Sequence, residues 1–133
     1  MPDPVREGLQ QILDRDWFEA HETLEVPWLA ATGERKRFLQ GLIQGAVALE
    51  HLRRNNPRGA QGLLRKARGK LEGMEWVEGV GVGPWMRALS AFFERIQIDA
   101  RVAAWAAGQL DTLPPLPPEE DWPLPELREA PGV

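Results

Sequence analysis

The chain contains two histidines, and each lies beside a carboxylate. His21 is followed by Glu22 and, four residues on, by Glu25, while His51 follows Glu50. Two imidazoles and a carboxylate on adjacent helices could hold a divalent metal at His21, Glu25 and His51. They could equally form a hydrogen-bonded polar network, with or without a small ligand. The H-E-x-x-E spacing lacks the second histidine of the zinc-protease motif H-E-x-x-H, so the network is favoured and the metal is the alternative.

The segment from Phe38 to His51 must position one of these histidines. It contains no proline and no charge before Glu50, and apolar residues cover both sides of its helical wheel. Such a pattern predicts a buried helix, too short for the roughly 20 apolar residues of a membrane span. Gln40, Gln44 and His51 fall in one narrow stripe of this helix at 100° per residue. Buried amides and imidazoles need hydrogen-bond partners, so we expect a neighbouring helix to present polar groups to this stripe.

The preceding helix, predicted from Trp17 toward Ala31, carries the other histidine. Asp16 is expected to cap it with Glu19 as a capping box, and Pro27 is expected to kink or break it. Its predicted apolar arc, which His21 and Glu25 interrupt, consists of Trp17, Phe18, Ala20, Leu24, Trp28 and Leu29.

A short connection at Gly33 predicts that these two helices are antiparallel neighbours. We therefore expect His21 and Glu25 to face Gln44 and His51 across the interface, with Glu25 accepting hydrogen bonds. Glu22 lies nearer the rim, so Glu25→Ala is expected to destabilise more than Glu22→Ala.

Helical periodicity dominates the rest of the chain. Asp3 and Asn56 are predicted N-caps, each followed by proline. A glycine-rich loop over residues 73–83 precedes a predicted fifth helix from Pro84 to about Ala107, and no strand is expected. The fold class is therefore all-α, a single-domain bundle of about five helices over residues 1–109. Residues 110–133 are Pro-rich and predict an extended tail packed on the domain or on a partner.

A second apolar stripe on the fifth helix (Ile98, Val102, Trp105) lies away from its predicted core face. An isolated apolar stripe is usually covered. We expect either the tail or a second copy of the chain to cover it, which would make this the surface of a homodimer.

Composition and charge limit the function classes. The net charge is −4, and the basic run from Arg53 to Lys70 contains no aromatic residue on which bases could stack, so nucleic acid is not expected as a partner. The absence of cysteine excludes disulfides and thiolate metal sites. The first residues predict no signal peptide, no segment predicts a membrane span, and a cytoplasmic location is expected.

Three motifs together carry a family resemblance. They are W-F-E-A-H-E-T-L-E-x-x-W from Trp17, F-L-Q-G-L-I-Q-G-A-V-A-L-E-H from Phe38, and N-x-x-G-A from Asn56. Over about residues 9–72 the chain resembles a small bacterial and archaeal family of unknown function. The resemblance implies an all-helical fold but no activity, substrate or cofactor. The family's recurring polar positions fall on His21, Glu22, Glu25, Gln40, Gln44, His51 and Asn56.

The function expected from these observations is a non-enzymatic module that binds a small ligand or a protein partner through a buried His/Glu/Gln cluster. The alternative is a metal-dependent, hydrolase-like enzyme that uses His21, Glu25 and His51.

Overall fold

A computed structural model describes residues 3–128, which form six α-helices, one two-stranded hairpin and two short 3-10 turns. The all-α prediction is confirmed. None of the helices in this part of the chain has the length and apolar character needed to cross a membrane. The elements are α1 (Pro4–Leu13), α2 (Trp17–Ala30), α3 (Gly33–Arg53), α4 (Pro57–Lys70), β1 (Trp76–Val77), β2 (Val80–Gly81), α5 (Val82–Arg95) and α6 (Ile98–Ala106), with 3-10 turns at Leu110–Thr112 and Glu119–Asp121.

Helix α3 lies between α2 and α4 and is antiparallel to both. At its start Lys36 lies over the Trp28 ring near the end of α2, 4.6 Å from the centroid. Beyond its end the Arg54 guanidinium lies 5.7 Å from the ring of Phe18, near the start of α2. The predicted antiparallel pairing of α2 with α3 is therefore confirmed.

The α3–α4 pair is close because α3 carries glycine where α4 approaches. Leu71, just beyond α4, occupies the space that a Cβ on Gly41 would need. At the other end of the pair the glycine is on α4: a Cβ on Gly59 would lie 3.1 Å from the ring of His51. The two contacts have opposite order along the two helices, as antiparallel packing requires.

Two of the three predicted helix caps are confirmed. The Asp3 carboxylate accepts from the Val5 N–H at 2.9 Å, and the Asn56 side-chain oxygen accepts from the Gly59 N–H at 3.0 Å. The capping box at Asp16 is wrong, because only the backbone carbonyl of that residue accepts a helical hydrogen bond. A break at Pro27 is also wrong: α2 continues to Ala30, since a proline in the last turn removes only one helical hydrogen bond.

The predicted fifth helix is divided in two at Gln97, which adopts a left-handed conformation with φ 60°. The N–H of Ile96 completes α5 by donating to Phe92, and the Ile96 carbonyl then accepts from the Arg101 side chain at 2.7 Å. That carbonyl is therefore bonded to a side chain at the point where the helix ends.

The predicted glycine-rich loop contains the β1–β2 hairpin, contrary to the expectation of no strand. Trp76 pairs with Gly81 and Val77 with Val80. The two residues between the strands, Glu78 and Gly79, both have positive φ (49° and 80°), as a type I′ turn requires. A Glu-Gly pair is a weaker turn signal than Asn-Gly, which is why the pattern did not predict the hairpin.

The apolar stripe that begins at Ile98 is covered differently from the prediction only at its Ile98 end, and the homodimer stays a prediction. Ile98 is buried and lines a cavity with Leu64 of α4, and Gln61 of α4 hydrogen-bonds Asp99 beside it. Helix α4, rather than the tail or a second copy, therefore covers this end of the stripe. At the other end Trp105 remains 42% exposed.

The Pro-rich segment packs on the helices chiefly through Trp122. This side chain is 3% exposed and stacks nearly parallel on Trp17, with ring centroids 5.5 Å apart. The Arg15 guanidinium donates to the carbonyls of Glu119 and Glu120 at 2.7 and 2.6 Å, which anchors the turn before Trp122.

Further along, the segment adds to the hairpin. The Gly81 N–H donates to the Glu126 carbonyl at 2.9 Å, and Val80 forms an antiparallel bridge with Leu127. The domain boundary after residue 109 stays a prediction, and residues 129–133 of the predicted tail lie outside the described residues.

A candidate binding groove between helices α2 and α4

Helix α2 buries one narrow face and leaves apolar side chains on the other. Trp17, Ala20 and Leu24 are fully buried. By contrast Phe18 is exposed, as are Val26 and Leu29, at 64% and 70%. The predicted wide apolar arc is therefore wrong at Phe18 and Leu29. Because α2 packs mainly against α1 and α3, only the side chains on the same face as Trp17, Ala20 and Leu24 are covered.

Between Phe38 and Leu52, helix α3 is buried on all sides except one, where Ile43 is half-buried beside a longer half-buried line. Its half-buried line follows the spacing i, i+4, i+7 and i+11, and consists of Gln40, Gln44, Val47 and His51. The predicted polar stripe thus lies on the least buried side of α3, where water reaches part of each side chain. The expectation that the whole helix is buried is wrong along this line.

The half-buried line of α3 runs between α2 and α4. Lys36 and Arg54 mark the side of α3 that faces α2, and Gly41 marks the side that faces α4. At 100° per residue, Gln40 and Gln44 fall between these two directions.

Helix α4 forms the second wall. Gln61, Arg65 and Arg68 line a cavity shared with α5 and α6, so the opposite flank of α4 faces the half-buried line of α3. That flank carries Gly59 and Lys66. We call this region the α2–α4 groove, which comprises Phe18, His21, Glu22, Glu25, Leu29, Gln40, Gln44, Val47, His51, Asn56, Gly59, Leu63 and Lys66.

His21 and Glu25 form a pair within α2. Their Nε2 and Oε1 atoms are 3.5 Å apart, and the side chains are 28% and 52% exposed. The ring of Phe18 lies 5.6 Å from that of His21, measured between centroids. Glu25 therefore orients His21 from the solvent side of α2.

The predicted hydrogen bonding across the α2–α3 interface is absent. The buried Nδ1 of His21 and the buried Oε1 of Gln44 have no hydrogen-bond partner in the described chain. The Nε1 of Trp28 on the same flank of α2 also lacks one. Gln11 Oε1 and Trp17 Nε1, which lie outside this region, are unpaired in the same way, so the unpaired atoms do not by themselves mark a ligand site.

His51 is bonded to α4 instead of α2. Its Nδ1 lies 3.1 Å from Nδ2 of Asn56, whose oxygen caps α4.

Within residues 3–128 there is no group of three or more His, Cys, Asp or Glu side chains that could hold a metal ion. Glu22 is exposed and Gln40 is half-buried on the groove surface.

Exposure changes the expected effect of substitutions at the two groove carboxylates. Glu25→Ala and Glu22→Ala should each change the free energy of unfolding by less than about 0.5 kcal/mol, as is usual for exposed side chains. Urea denaturation of both variants beside the wild type measures this. A loss of more than about 1.5 kcal/mol for Glu25→Ala alone would indicate that its contact with His21 matters for folding.

Sequence reasoning missed two buried charges. Glu50 is 4% exposed and accepts from the Arg53 guanidinium, and Arg101 is 7% exposed. The i, i+3 spacing of Glu50 and Arg53 could have indicated the first pair. For Arg101 the signal is weak: it is the one cation in the otherwise apolar stretch after Asp99.

The outer surface of α4 is basic, with Arg58, Arg65, Lys66 and Arg68 exposed. We expect this surface to bind DNA or RNA only at the non-specific level, with a Kd of about 10⁻⁴ M or weaker at physiological salt. Fluorescence anisotropy with a labelled duplex and a labelled single strand measures the affinity. Micromolar binding that weakens steeply with added salt would contradict this prediction.

Comparison with known proteins agrees with the resemblance. Residues 5–63 match the family model described as "Domain of unknown function (DUF309)". Over 51 residues the chain is 51% identical to a Bacillus subtilis (strain 168) protein named "Uncharacterized protein YpuF". The alignment spans 38% of this chain and 29% of that protein. No solved structure matches. The matched region contains every residue of the α2–α4 groove except Lys66.

Proposed function

We propose that this protein is a non-enzymatic binding module whose α2–α4 groove accepts an amphipathic helix of a protein partner. The observation that carries the proposal is the exposure of Phe18 and Leu29 on α2 beside a half-buried polar line. Three of the five exposed large hydrophobic side chains in the described chain lie on α2. Apolar side chains concentrated in this way, rather than scattered singly, are typical of interaction surfaces.

The dimensions of the groove suit a helix. From Gln40 to His51 the half-buried line of α3 covers about 16 Å at 1.5 Å per residue, which is three turns. Helix-in-groove recognition uses apolar anchors at i, i+3, i+4 and i+7 over a similar length.

Charge on the α2 wall specifies the partner further. Glu22 and Glu25 are exposed there, between Phe18 and Leu29. A partner helix with basic residues beside its apolar stripe would complement these carboxylates, whereas acidic residues would be repelled.

A small ligand is a weaker candidate for this site. Five cavities of about 170 to 580 Å³ in the described chain are lined by residues other than His21, Glu25, Gln44 and His51. Small-ligand sites are usually enclosed clefts. An open groove with exposed apolar walls favours recognition of a macromolecular surface.

Two designed helical peptides test the proposal. Both have about 15 residues and the same leucine stripe at i, i+3, i+4 and i+7, flanked by lysine in one peptide and by glutamate in the other. Fluorescence anisotropy should give a Kd for the lysine peptide at least about tenfold lower than for the glutamate peptide. Equal affinity for the two peptides would contradict the proposal.

Protein variants localise the binding. Leu29→Ser should weaken binding of the lysine peptide, and Glu22→Lys/Glu25→Lys should reverse the preference between the peptides. The matched control is Glu94→Lys/Glu120→Lys, which makes the same change in net charge at exposed positions outside the groove. A control variant that reverses the preference equally would show that only overall charge matters.

A further inference from the structure

Arg101 is a buried cation without a carboxylate partner. Its side chain is 7% exposed, and within residues 3–128 no carboxylate oxygen lies within 4.0 Å of its guanidinium. Its Nε donates to the Ile96 carbonyl at 2.7 Å and one Nη donates to the Pro114 carbonyl at 2.6 Å. These two carbonyls supply hydrogen bonds but no compensating full charge.

The remaining guanidinium nitrogen, Nη1, is available. It donates to no acceptor among the described residues, and it is not sealed from solvent. Burial lowers the pKa of the Arg101 guanidinium, because the surroundings disfavour the cation. A buried charge of this kind is usually paired, since leaving it unpaired is costly.

A cavity of about 170 Å³ lies against Arg101, where α5 ends and the Pro-rich segment crosses. Arg95 and Gln97 supply its other polar side chains, and Leu113 with three prolines forms its apolar wall. The volume corresponds to roughly five waters at about 30 Å³ each, enough for a phosphate or a short carboxylate. Asp111, with Asn55, lines a separate cavity of about 580 Å³ that Arg101 also borders.

We propose that this cavity is a binding site for a small oxyanion, a phosphate or carboxylate group, held by Arg101 with Arg95 at the entrance. Guanidinium donates to both kinds of oxyanion with charge-assisted hydrogen bonds. Two cations and no anion line the cavity, so the local field favours a negative ligand although the whole chain has a net charge of −4. The site is separate from the α2–α4 groove, so either proposal can fail alone.

Titration of the full chain with inorganic phosphate, and separately with acetate, tests the site. The probe is the ¹H–¹⁵N signal of Arg101 Nε, with sodium chloride at matched ionic strength as the control. A saturable shift with phosphate or acetate, accompanied by a rise in Tm, is expected. The tighter of the two anions identifies the ligand chemistry. A drift identical to that in chloride for both anions would overturn the proposal.

Variants separate binding from folding, because Arg101 also fastens the end of α5 to the Pro-rich segment. Arg95→Gln at the exposed entrance should leave the fold intact and weaken the anion about threefold. Arg101→Lys, which keeps the charge but loses the planar donor pair, should weaken it roughly tenfold. Arg65→Gln, an exposed arginine outside this cavity, is the control and should bind unchanged. Unchanged affinity in both Arg95→Gln and Arg101→Lys would place the anion elsewhere and contradict the proposal.

Discussion

Replacing Trp122 with alanine is expected to lower the free energy of unfolding by about 3–5 kcal/mol, the range for deletion of a buried aromatic side chain. Its ring stacks on Trp17, with centroids 5.5 Å apart, and the centroid of the Phe92 ring is 5.9 Å away. Its Nε1 donates to the Pro117 carbonyl at 2.9 Å. The substitution removes the stacked ring and leaves that carbonyl without its donor. Urea denaturation of variant and wild type measures the loss.

The control for this experiment is Glu120→Ala, an exposed position two residues earlier in the same turn. It should change stability by less than about 0.5 kcal/mol. If Trp122→Ala were as mild as Glu120→Ala, the Pro-rich segment would contribute little to the core, contrary to its packing.

Replacing Glu50 with alanine is expected to cost about 2–3 kcal/mol, because it removes the buried member of an ion pair. One Arg53 nitrogen donates to both carboxylate oxygens of Glu50. Burial alone would lower the pKa of Arg53, but the hydrogen bond and charge of Glu50 raise it above its usual value. So held, Arg53 lies over the Trp17 ring, 5.2 Å from its centroid, and lies 3.6 Å from Glu119.

Arg54→Ala is the matched control for Glu50→Ala. The Arg54 side chain is 64% exposed and its nearest nitrogen is 3.7 Å from Glu50, so its loss should cost well under about 1 kcal/mol. Chemical denaturation near neutral pH compares the two variants. Equal losses would mean that the Glu50 carboxylate is stabilised by both arginines as a diffuse charge rather than by Arg53.

Much of the helical core could be predicted because periodicity and caps act locally. Asp3 and Asn56 cap where their sequences indicate, and the Phe38–His51 helix lies at the centre of the bundle. The break at Gln97 could not be predicted in this way. At this break the Arg101 side chain donates a hydrogen bond back to the carbonyl of Ile96. A helical wheel does not represent a contact of this kind.

The residues of the candidate site stay a prediction, and the structure tests only the geometry that was expected for them. The polar stripe of α3 exists, but it is half-buried and makes no hydrogen bond to His21. A helical wheel gives the direction of each side chain but does not show whether another element packs against that side chain. Phe18 and Leu29 therefore belonged to the predicted core, although the neighbours of α2 leave them exposed.

The packing of the Pro-rich segment could be predicted only as a choice between the domain and a partner. Its anchors are backbone carbonyls, which accept from Arg15 and from the Trp85 indole at distances of 2.6 to 3.0 Å. Backbone acceptors are present at every residue, so no sequence pattern distinguishes the ones that are used.

The central claim is that the α2–α4 groove binds a basic amphipathic helix, and chemical-shift mapping with the lysine-flanked peptide tests it most directly. The amide signals of ¹⁵N-labelled protein should shift from Phe18 to Leu29, from Gln40 to His51 and from Asn56 to Lys66. The signals of α5, α6 and the Pro-rich segment should stay in place. Shifts concentrated on those elements, or no shifts at peptide concentrations well above the Kd of the anisotropy measurement, would contradict the claim.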